Sequence, residues 1–119
     1  MIKIYGIKNC NSMKKAFDLL NELNITFEFH DYKKQGIDTH TLQTWITDIG
    51  ADIVLNKKGT TWRKLSPEQQ ALALSSTDEL IQALSTHTSL IKRPVLQNGQ
   101  DYIVGFDEER YRALKATTE

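Results

Sequence analysis

The stretch that decides the fold is residues 2–17, which read IKIYGIKNCNSMKKAF. Its opening residues alternate and include β-branched side chains, which predicts a short strand that stops at Gly6. From Met13 onward, apolar residues recur at spacings of three and four, which predicts a helix with one apolar face. The single cysteine of the chain, Cys10, therefore lies between the first strand and the first helix.

The rest of the chain extends this beginning into a complete fold. Residues 26–30 predict a second strand, so the chain opens with a strand–helix–strand unit whose strands are parallel. Helical patterns fill approximately residues 36–88, and Asn98-Gly99 predicts a hairpin turn ahead of a last helix. We therefore predict an α/β, thioredoxin-like fold: a mixed four-stranded sheet with a helical insertion between its βαβ and ββα halves, forming one domain over residues 1–119.

Two helix starts within the insertion carry specific signals. Either Asp38 or Thr39 is expected to cap a helix near the beginning of the insertion. Ser66-Pro67 predicts a second start, with a capping side chain followed by proline at the first helical position.

Charge and composition exclude several function classes. Fifteen basic residues balance fifteen acidic ones, so the net charge of zero argues against nucleic-acid binding by bulk electrostatics. No apolar stretch approaches the roughly 20 residues that span a bilayer, and no membrane association is expected. The three histidines, His30, His40 and His87, are too scattered to suggest a metal site with Cys10.

The expected compartment is the cytoplasm. No signal peptide is readable at the beginning of the sequence, and one cysteine cannot form an internal disulfide. Nothing in the sequence demands more than a monomer.

Cys10 is the first of two candidate catalytic residues, and the other is Arg93. A helix N-terminus presents unpaired N–H groups and the positive end of the helix dipole, both of which stabilise a thiolate. Lys8, Lys14 and Lys15 add positive charge nearby in sequence, so we expect a lowered thiol pKa. The alternative is that Cys10 is only a small buried apolar residue. Ser12 either donates a hydrogen bond to the thiolate or, with Asn11, is merely a candidate helix cap.

The residue three positions after Cys10 is Met13, where a dithiol motif would have a second cysteine. No intramolecular disulfide can therefore resolve an oxidised Cys10. Turnover would require an external thiol such as glutathione or a glutaredoxin, with no bound cofactor.

Arg93-Pro94 stands immediately before the predicted third strand. In thioredoxin-like folds the corresponding proline is cis and faces the active cysteine, so the planar guanidinium of Arg93 would be aimed at the same site. That group suits an oxyanion or a carboxylate. The alternative is an ordinary surface arginine ahead of a strand.

Several blocks in order along the chain resemble the arsenate-reductase-like ArsC/Spx/YffB family, with the YffB branch as the best match. They are residues 4–10, 13–16, 29–32, 56–65 and 91–94. The resemblance implies a thioredoxin fold with a helical insertion, a nucleophilic Cys10, and a glutathione- and anion-binding pocket. The residues of this chain that the resemblance assigns to the pocket are Lys8, Asn9, Asn11, Ser12, Lys58, Arg63, Arg93 and Pro94.

The chain departs from the family's arsenate reductases, which surround the cysteine with three arginines. Arg93 matches one of these three arginines. The position of the second arginine falls at Lys57-Lys58, where this chain has lysine, and residues 102–106 contain no arginine that could be the third. Met13 also removes the two-cysteine switch of the Spx branch. The resemblance therefore predicts a glutathione-dependent monothiol reductase. The alternatives are a glutaredoxin-coupled arsenate reductase and a Spx-like, non-enzymatic adaptor that binds RNA polymerase.

Overall fold

The computed structural model describes residues 2–118, and for residues 115–118 it describes the backbone alone. In chain order the elements are β1 (Ile2–Gly6), α1 (Asn11–Glu22), β2 (Phe27–Asp31), α2 (Tyr32–Gln35), α3 (Thr39–Asp48), α4 (Ala51–Val54), α5 (Thr60–Lys64), α6 (Pro67–Ala73), α7 (Thr77–Thr86), a 3-10 turn (Thr88–Leu90), β3 (Val95–Asn98), β4 (Asp101–Val104) and α8 (Glu108–Thr118).

These elements divide into two compact units. The first comprises Met1–Tyr32 and Arg93–Glu119, and the second comprises Lys33–Lys92. The predicted insertion of approximately residues 36–88 lies within the second unit. That the whole chain forms one domain stays a prediction.

The first unit is built on a four-stranded sheet with the order β2-β1-β3-β4. β1 pairs with β2 in parallel and with β3 antiparallel, and β3 pairs antiparallel with β4. The parallel pair is joined through α1, as a crossover connection requires. This is the mixed sheet of the predicted α/β, thioredoxin-like fold, which is confirmed.

One face of this sheet forms the apolar core of the first unit. Alternate residues of β1 point inward from this face because side chains alternate along a strand, and the face packs on α1 and α8. The buried members of this core are Ile2, Ile4, Met13, Ala16, Leu19, Leu20, Leu23, Ile25, Leu96, Ile103, Tyr111 and Leu114, with Cys10 and Phe106 packed against it.

The β3–β4 hairpin is confirmed, but its turn lies one residue later than predicted. Asn98 pairs with Asp101, so the two turn residues are Gly99 and Gln100 rather than Asn98 and Gly99. Gly99 has a φ of 64°, and glycine at the first central position suits a two-residue hairpin turn. Asn98 is thus free to complete the strand pairing.

The second unit is helical, and side-chain caps fix where three of its helices begin. Asp38, rather than Thr39, caps α3, and its carboxylate accepts the Thr41 N–H at 2.7 Å. Ser66 caps α6 and Pro67 is its first residue, as predicted, and Gln69 completes a reciprocal capping box with Ser66. Ser76 caps α7.

The described part of the chain contains no helix that is long and apolar enough to cross a membrane.

Candidate functional site

Strand register brings four chain segments to one edge of the sheet. Gly6 at the end of β1 pairs with Asp31 at the end of β2, and Tyr5 pairs with Val95 at the start of β3. The segment containing Cys10 follows β1, Tyr32 follows β2, and Arg93-Pro94 precedes β3. The Arg93–Pro94 peptide bond is cis, as the thioredoxin-like topology predicted.

The segment after β4 reaches the same edge. Val104 pairs with Val95, and the next residue, Gly105, donates its N–H to the Pro94 carbonyl at 2.8 Å. Gly105 has a φ of 81°, a conformation in which a Cβ would be strained. This bond ties the end of β4 to the proline that follows Arg93.

Cys10 itself is the N-cap residue of α1. Its backbone is extended, with φ −138° and ψ 137°, and its carbonyl accepts the first helical hydrogen bond from Lys14 N–H at 3.0 Å. The prediction that Asn11 or Ser12 caps this helix is therefore wrong, because the helix already includes both. The sulfur occupies the place where a capping oxygen would lie.

Opposing effects act on the Cys10 thiol. Partial burial is the largest and raises the pKa. The N–H of Met13, a hydrogen bond from the Arg93 side chain, the N–H of Ser12 and the charge of Arg93 lower it, and together they outweigh burial. The sulfur forms no capping hydrogen bond of regular geometry. The pKa of Cys10 is therefore below its ordinary value.

The cation that lowers the pKa of this thiol is Arg93 and not the lysines that the sequence analysis counted. Lys14 instead pairs with Asp18 at 2.8 Å, one helical turn along α1. Its ammonium is thereby directed to a carboxylate on the outer face of the helix. Lys8 and Lys15 are exposed and are not among the groups that lower this pKa.

Met13 is fully buried and packs on Gly6 at the end of β1. A Cβ added to Gly6 would overlap Sδ of Met13 and lie 2.7 Å from its Cε. The position of a second active-site cysteine is therefore filled by a thioether that belongs to the core. The described residues contain no other cysteine that could resolve an oxidised Cys10.

Three aromatic side chains form a cluster where β1 and β2 end. The ring centroids of Tyr5 and His30 are 5.1 Å apart, and those of His30 and Tyr32 are 6.3 Å apart. Tyr32 is 1% exposed, and its hydroxyl has no hydrogen-bond partner among the described residues. Burial and the nearby Tyr5 raise the Tyr32 pKa well above its usual value, whereas the charge of Arg93 opposes that rise.

The sequence analysis assigned no role to Tyr32, which it quoted only within the block of residues 29–32. No local signal could have revealed one. What distinguishes Tyr32 is a buried hydroxyl whose pKa the charge of Arg93 influences, and Arg93 comes from a distant part of the sequence.

Comparison with known families gives a match over most of the chain. The model of the ArsC family matches residues 5–114. The chain belongs to the ArsC family. The resemblance inferred from the sequence blocks is thereby confirmed.

The chain is also similar to three individual proteins. An uncharacterised protein of Haemophilus influenzae is 41% identical over 116 residues, covering 98% of this chain and 100% of that protein. The solved structure of the YFFB (PA3664) protein is 42% identical with a TM-score of 0.88, covering 95% of this chain and 97% of the other. The global transcriptional regulator Spx of Streptococcus mutans is 25% identical over 116 residues, covering 96% of this chain and 82% of the regulator.

Of the ArsC-type pocket residues predicted from the sequence, the structure brings some together with the thiol. Arg93 and the N–H of Ser12 act directly on Cys10. Pro94 is buried at the start of β3, whereas Lys8, Asn9 and Asn11 are exposed in the loop and first turn beside Cys10.

The remaining two predicted residues, Lys58 and Arg63, lie in the second unit. Both are exposed; Lys58 precedes α5 and Arg63 lies within it. Their participation in an anion site stays a prediction. Among the residues described, no group of three or more histidine, cysteine or carboxylate side chains is arranged to hold a metal ion.

Proposed function

We propose that this ArsC-family protein is a glutathione-dependent monothiol reductase in which Cys10 is the nucleophile. The observation that carries the proposal is the thiol at the N-cap of α1, whose pKa is lowered by two N–H groups and Arg93. Because the thiolate is the nucleophilic form, this environment favours attack on an electrophilic sulfur. The side chain is partly exposed, which leaves it accessible to a substrate.

With a single thiol, the reaction consists of two successive thiol–disulfide exchanges at Cys10. The Cys10 thiolate attacks the glutathionyl sulfur of a mixed disulfide, the original S–S bond breaks, and the substrate leaves as a thiolate. A second glutathione, as its thiolate, then attacks the Cys10–glutathione disulfide. That step releases oxidised glutathione and regenerates the Cys10 thiolate, so the two electrons gained by the substrate sulfur come from glutathione.

Glutathione as co-substrate is supported by what surrounds the thiol. Met13 fills the position of a resolving cysteine, so the second step requires a thiol from outside. The guanidinium of Arg93 matches the carboxylates of a γ-glutamyl peptide. We assign Lys8, Asn9, Asn11 and Ser12 to the same ligand because they are the polar residues of the loop and first turn around Cys10. A glutaredoxin could replace glutathione in the second step.

The test is reduction of a glutathionylated peptide by glutathione, measured with wild type, Cys10→Ser, Arg93→Met and Lys14→Met. Cys10→Ser is expected to be inactive. Arg93→Met should be strongly impaired because it removes the cation, whereas Lys14→Met should match wild type because Lys14 pairs with Asp18. Wild-type activity no greater than that of Cys10→Ser would refute the proposal.

A second candidate function is an adaptor that binds RNA polymerase. The similarity to a Spx regulator over 96% of this chain favours it. An adaptor does not need an activated thiol, so its binding to RNA polymerase would be the same in wild type and Cys10→Ser. Binding of that kind, without thiol-dependent reduction of the peptide, would favour this candidate over the reductase.

Arsenate is the second substrate to assay, with a glutaredoxin present. Arginine is missing from two of the three positions that arsenate reductases use, and lysine lacks bidentate geometry. We therefore expect arsenate turnover far below that of the mixed disulfide. Comparable turnover of the two substrates would show that the missing arginines are not needed.

A further inference from the structure

The helices α6 and α7 leave an apolar groove on the surface of the second unit. A short link, residues 74–76, joins the two helices, and they pack on each other as an αα-hairpin. Leu72 and Ala73 of α6, with Ala83 and Thr86 of α7, line a cavity of about 190 Å³ between them. A cavity of about 150 Å³ holds a benzene molecule, so this groove has room for a leucine or phenylalanine side chain from outside.

The wall of this α6–α7 groove is apolar and exposed. In the described part of the chain, the exposed large apolar side chains are Ile53, Leu72 and Leu74. Leu72 lines the groove and is 56% exposed, and Leu74 is the C-cap residue of the same helix. An apolar side chain that filled the cavity would remove Leu72 from water, which is favourable.

The charge of this segment differs from that of the rest of the chain. Residues 66–91 contain Glu68, Asp78 and Glu79 and no lysine or arginine, so they carry a net charge of −3 in a chain whose net charge is zero. Glu79 lines the groove, and Glu68 lies one helical turn before Leu72 on α6. No ion pair among the described residues involves any of these three carboxylates.

The helix dipole explains only part of this charge pattern. Acidic residues are stabilised in the first turn of a helix, and Glu68, Asp78 and Glu79 all lie in first turns. The same dipole favours lysine or arginine in the last turn, yet α6 and α7 have neither there. Because no basic residue offsets the carboxylates, the potential over the groove is negative and attracts a positively charged partner.

We propose that the α6–α7 groove binds a basic amphipathic helix of another protein. The partner inserts a leucine or phenylalanine side chain into the cavity beside Leu72, and one of its lysines or arginines pairs with Glu79. A helix suits this groove because Glu79, Ala83 and Thr86 follow at spacings of four and three, which form the ridges against which helices pack. The inference does not rest on the proposed function, since it uses no residue of the thiol site.

The probe is a helical peptide of leucine and lysine, with leucines at spacings of three and four. Its counterpart has glutamate in place of every lysine. Fluorescence anisotropy gives the affinity of each peptide for the full chain, and amide NMR shifts locate the binding surface. Sedimentation gives the oligomeric state of the protein alone.

Two groove variants are compared with two matched controls. Ile53→Ser is the control for Leu72→Ser, because Ile53 is 50% exposed and lies on α4, outside the groove. Asp52→Asn is the control for Glu79→Gln, because Asp52 also lies in the first turn of a helix of the second unit. Circular dichroism should show that all four variants are folded.

We expect the lysine peptide to bind wild type and the glutamate peptide not to bind. Leu72→Ser should weaken binding about tenfold, because it removes apolar area that the complex buries. Glu79→Gln should weaken binding about threefold at low salt, and high salt should abolish this difference. Both controls should bind like wild type. The amide shifts should centre on Ala73 and Ala83.

Four results would overturn the inference. They are a wild-type dissociation constant above about 1 mM, equal affinity for the two peptides, a loss of affinity in Ile53→Ser as large as that in Leu72→Ser, and a wild-type dimer that Leu72→Ser converts to a monomer. The last result would make a second copy of this chain the occupant. Cys10→Ser should bind the lysine peptide like wild type, so this inference and the proposed function fail in separate measurements.

Discussion

Gly6 of β1 packs against Met13 of α1, and Gly6→Ala tests whether this contact holds the active-site helix in place. The new Cβ would overlap Sδ of Met13 and lie 2.7 Å from Cε. Met13 is 0% exposed, so its side chain cannot relieve the overlap by moving into solvent. Either the thioether changes rotamer within the core, or α1 moves away from the sheet.

The expected cost follows from this geometry. Overpacking a core by a methyl group costs about 1–3 kcal/mol. Methionine adapts more easily than a branched side chain, which places the cost in the lower part of that range, at about 1–2 kcal/mol. For a chain of this size that corresponds to a fall in Tm of roughly 3–8 °C. Because the Met13 N–H also lowers the pKa of Cys10, displacement of Met13 should slow alkylation of the thiol.

The assay is urea unfolding of a double-mutant cycle with Met13→Val, which removes Sδ and Cε. In that background Gly6→Ala should be neutral or stabilising by up to about 1 kcal/mol, since glycine is unfavourable within a strand. Gly59→Ala is the control, because its Cβ would approach only the end of the flexible Asn56 side chain, at 3.0 Å. A Gly6→Ala cost that is equal, within about 0.5 kcal/mol, in both backgrounds would refute the argument.

Three further predictions concern caps and the thiol. Asp38→Ala should cost about 1 kcal/mol in urea unfolding because it removes the acceptor of the Thr41 N–H. The hydrogen bond from that N–H lowers the pKa of the Asp38 carboxyl group. The carboxylate therefore stabilises the fold fully above its unfolded-state pKa, and this stabilisation is lost as pH falls through its folded-state pKa. The difference in unfolding free energy between Asp38→Ala and wild type should accordingly become smaller in acid. Ser66→Ala should cost about 1 kcal/mol through loss of the capping box, and an unchanged unfolding midpoint would contradict this. The pKa of the Cys10 thiol is lowered in the folded protein. The thiolate therefore contributes its full stabilisation above the unfolded-state pKa, and this stabilisation is lost as pH falls through the folded-state pKa. In Cys10→Ser the free energy of unfolding should lack this pH-dependent contribution.

Much of the first unit could be predicted because its signals are local. Alternation in β1, helical spacing from Met13 onward and the glycine of the hairpin each act over a few residues. The order of the elements then fixed which segments meet at one edge of the sheet. For that reason Cys10 and the cis Arg93–Pro94 bond could be placed together from the sequence.

What the sequence analysis missed depends on tertiary position or on very short elements. The helices α4 and α5 have four and five residues, too few to show a helical period, and they were not predicted. The start of α1 was misplaced because asparagine and serine are favoured caps, whereas Cys10 holds that position. The burial of the Tyr32 hydroxyl and the effect of the Arg93 charge on its pKa could not be inferred, because two distant segments create them.

The most direct test of the account is a pH titration of the Cys10 thiolate by ultraviolet absorbance in wild type, Arg93→Met and Lys14→Met. We predict a wild-type midpoint below the value of about 8.5 for a free thiol. The midpoint should rise in Arg93→Met, which lacks the hydrogen bond and the charge, and stay unchanged in Lys14→Met. A wild-type midpoint at or above the free-thiol value, or an Arg93→Met midpoint equal to wild type, would contradict the central claim that Arg93 and the α1 N-terminus activate Cys10.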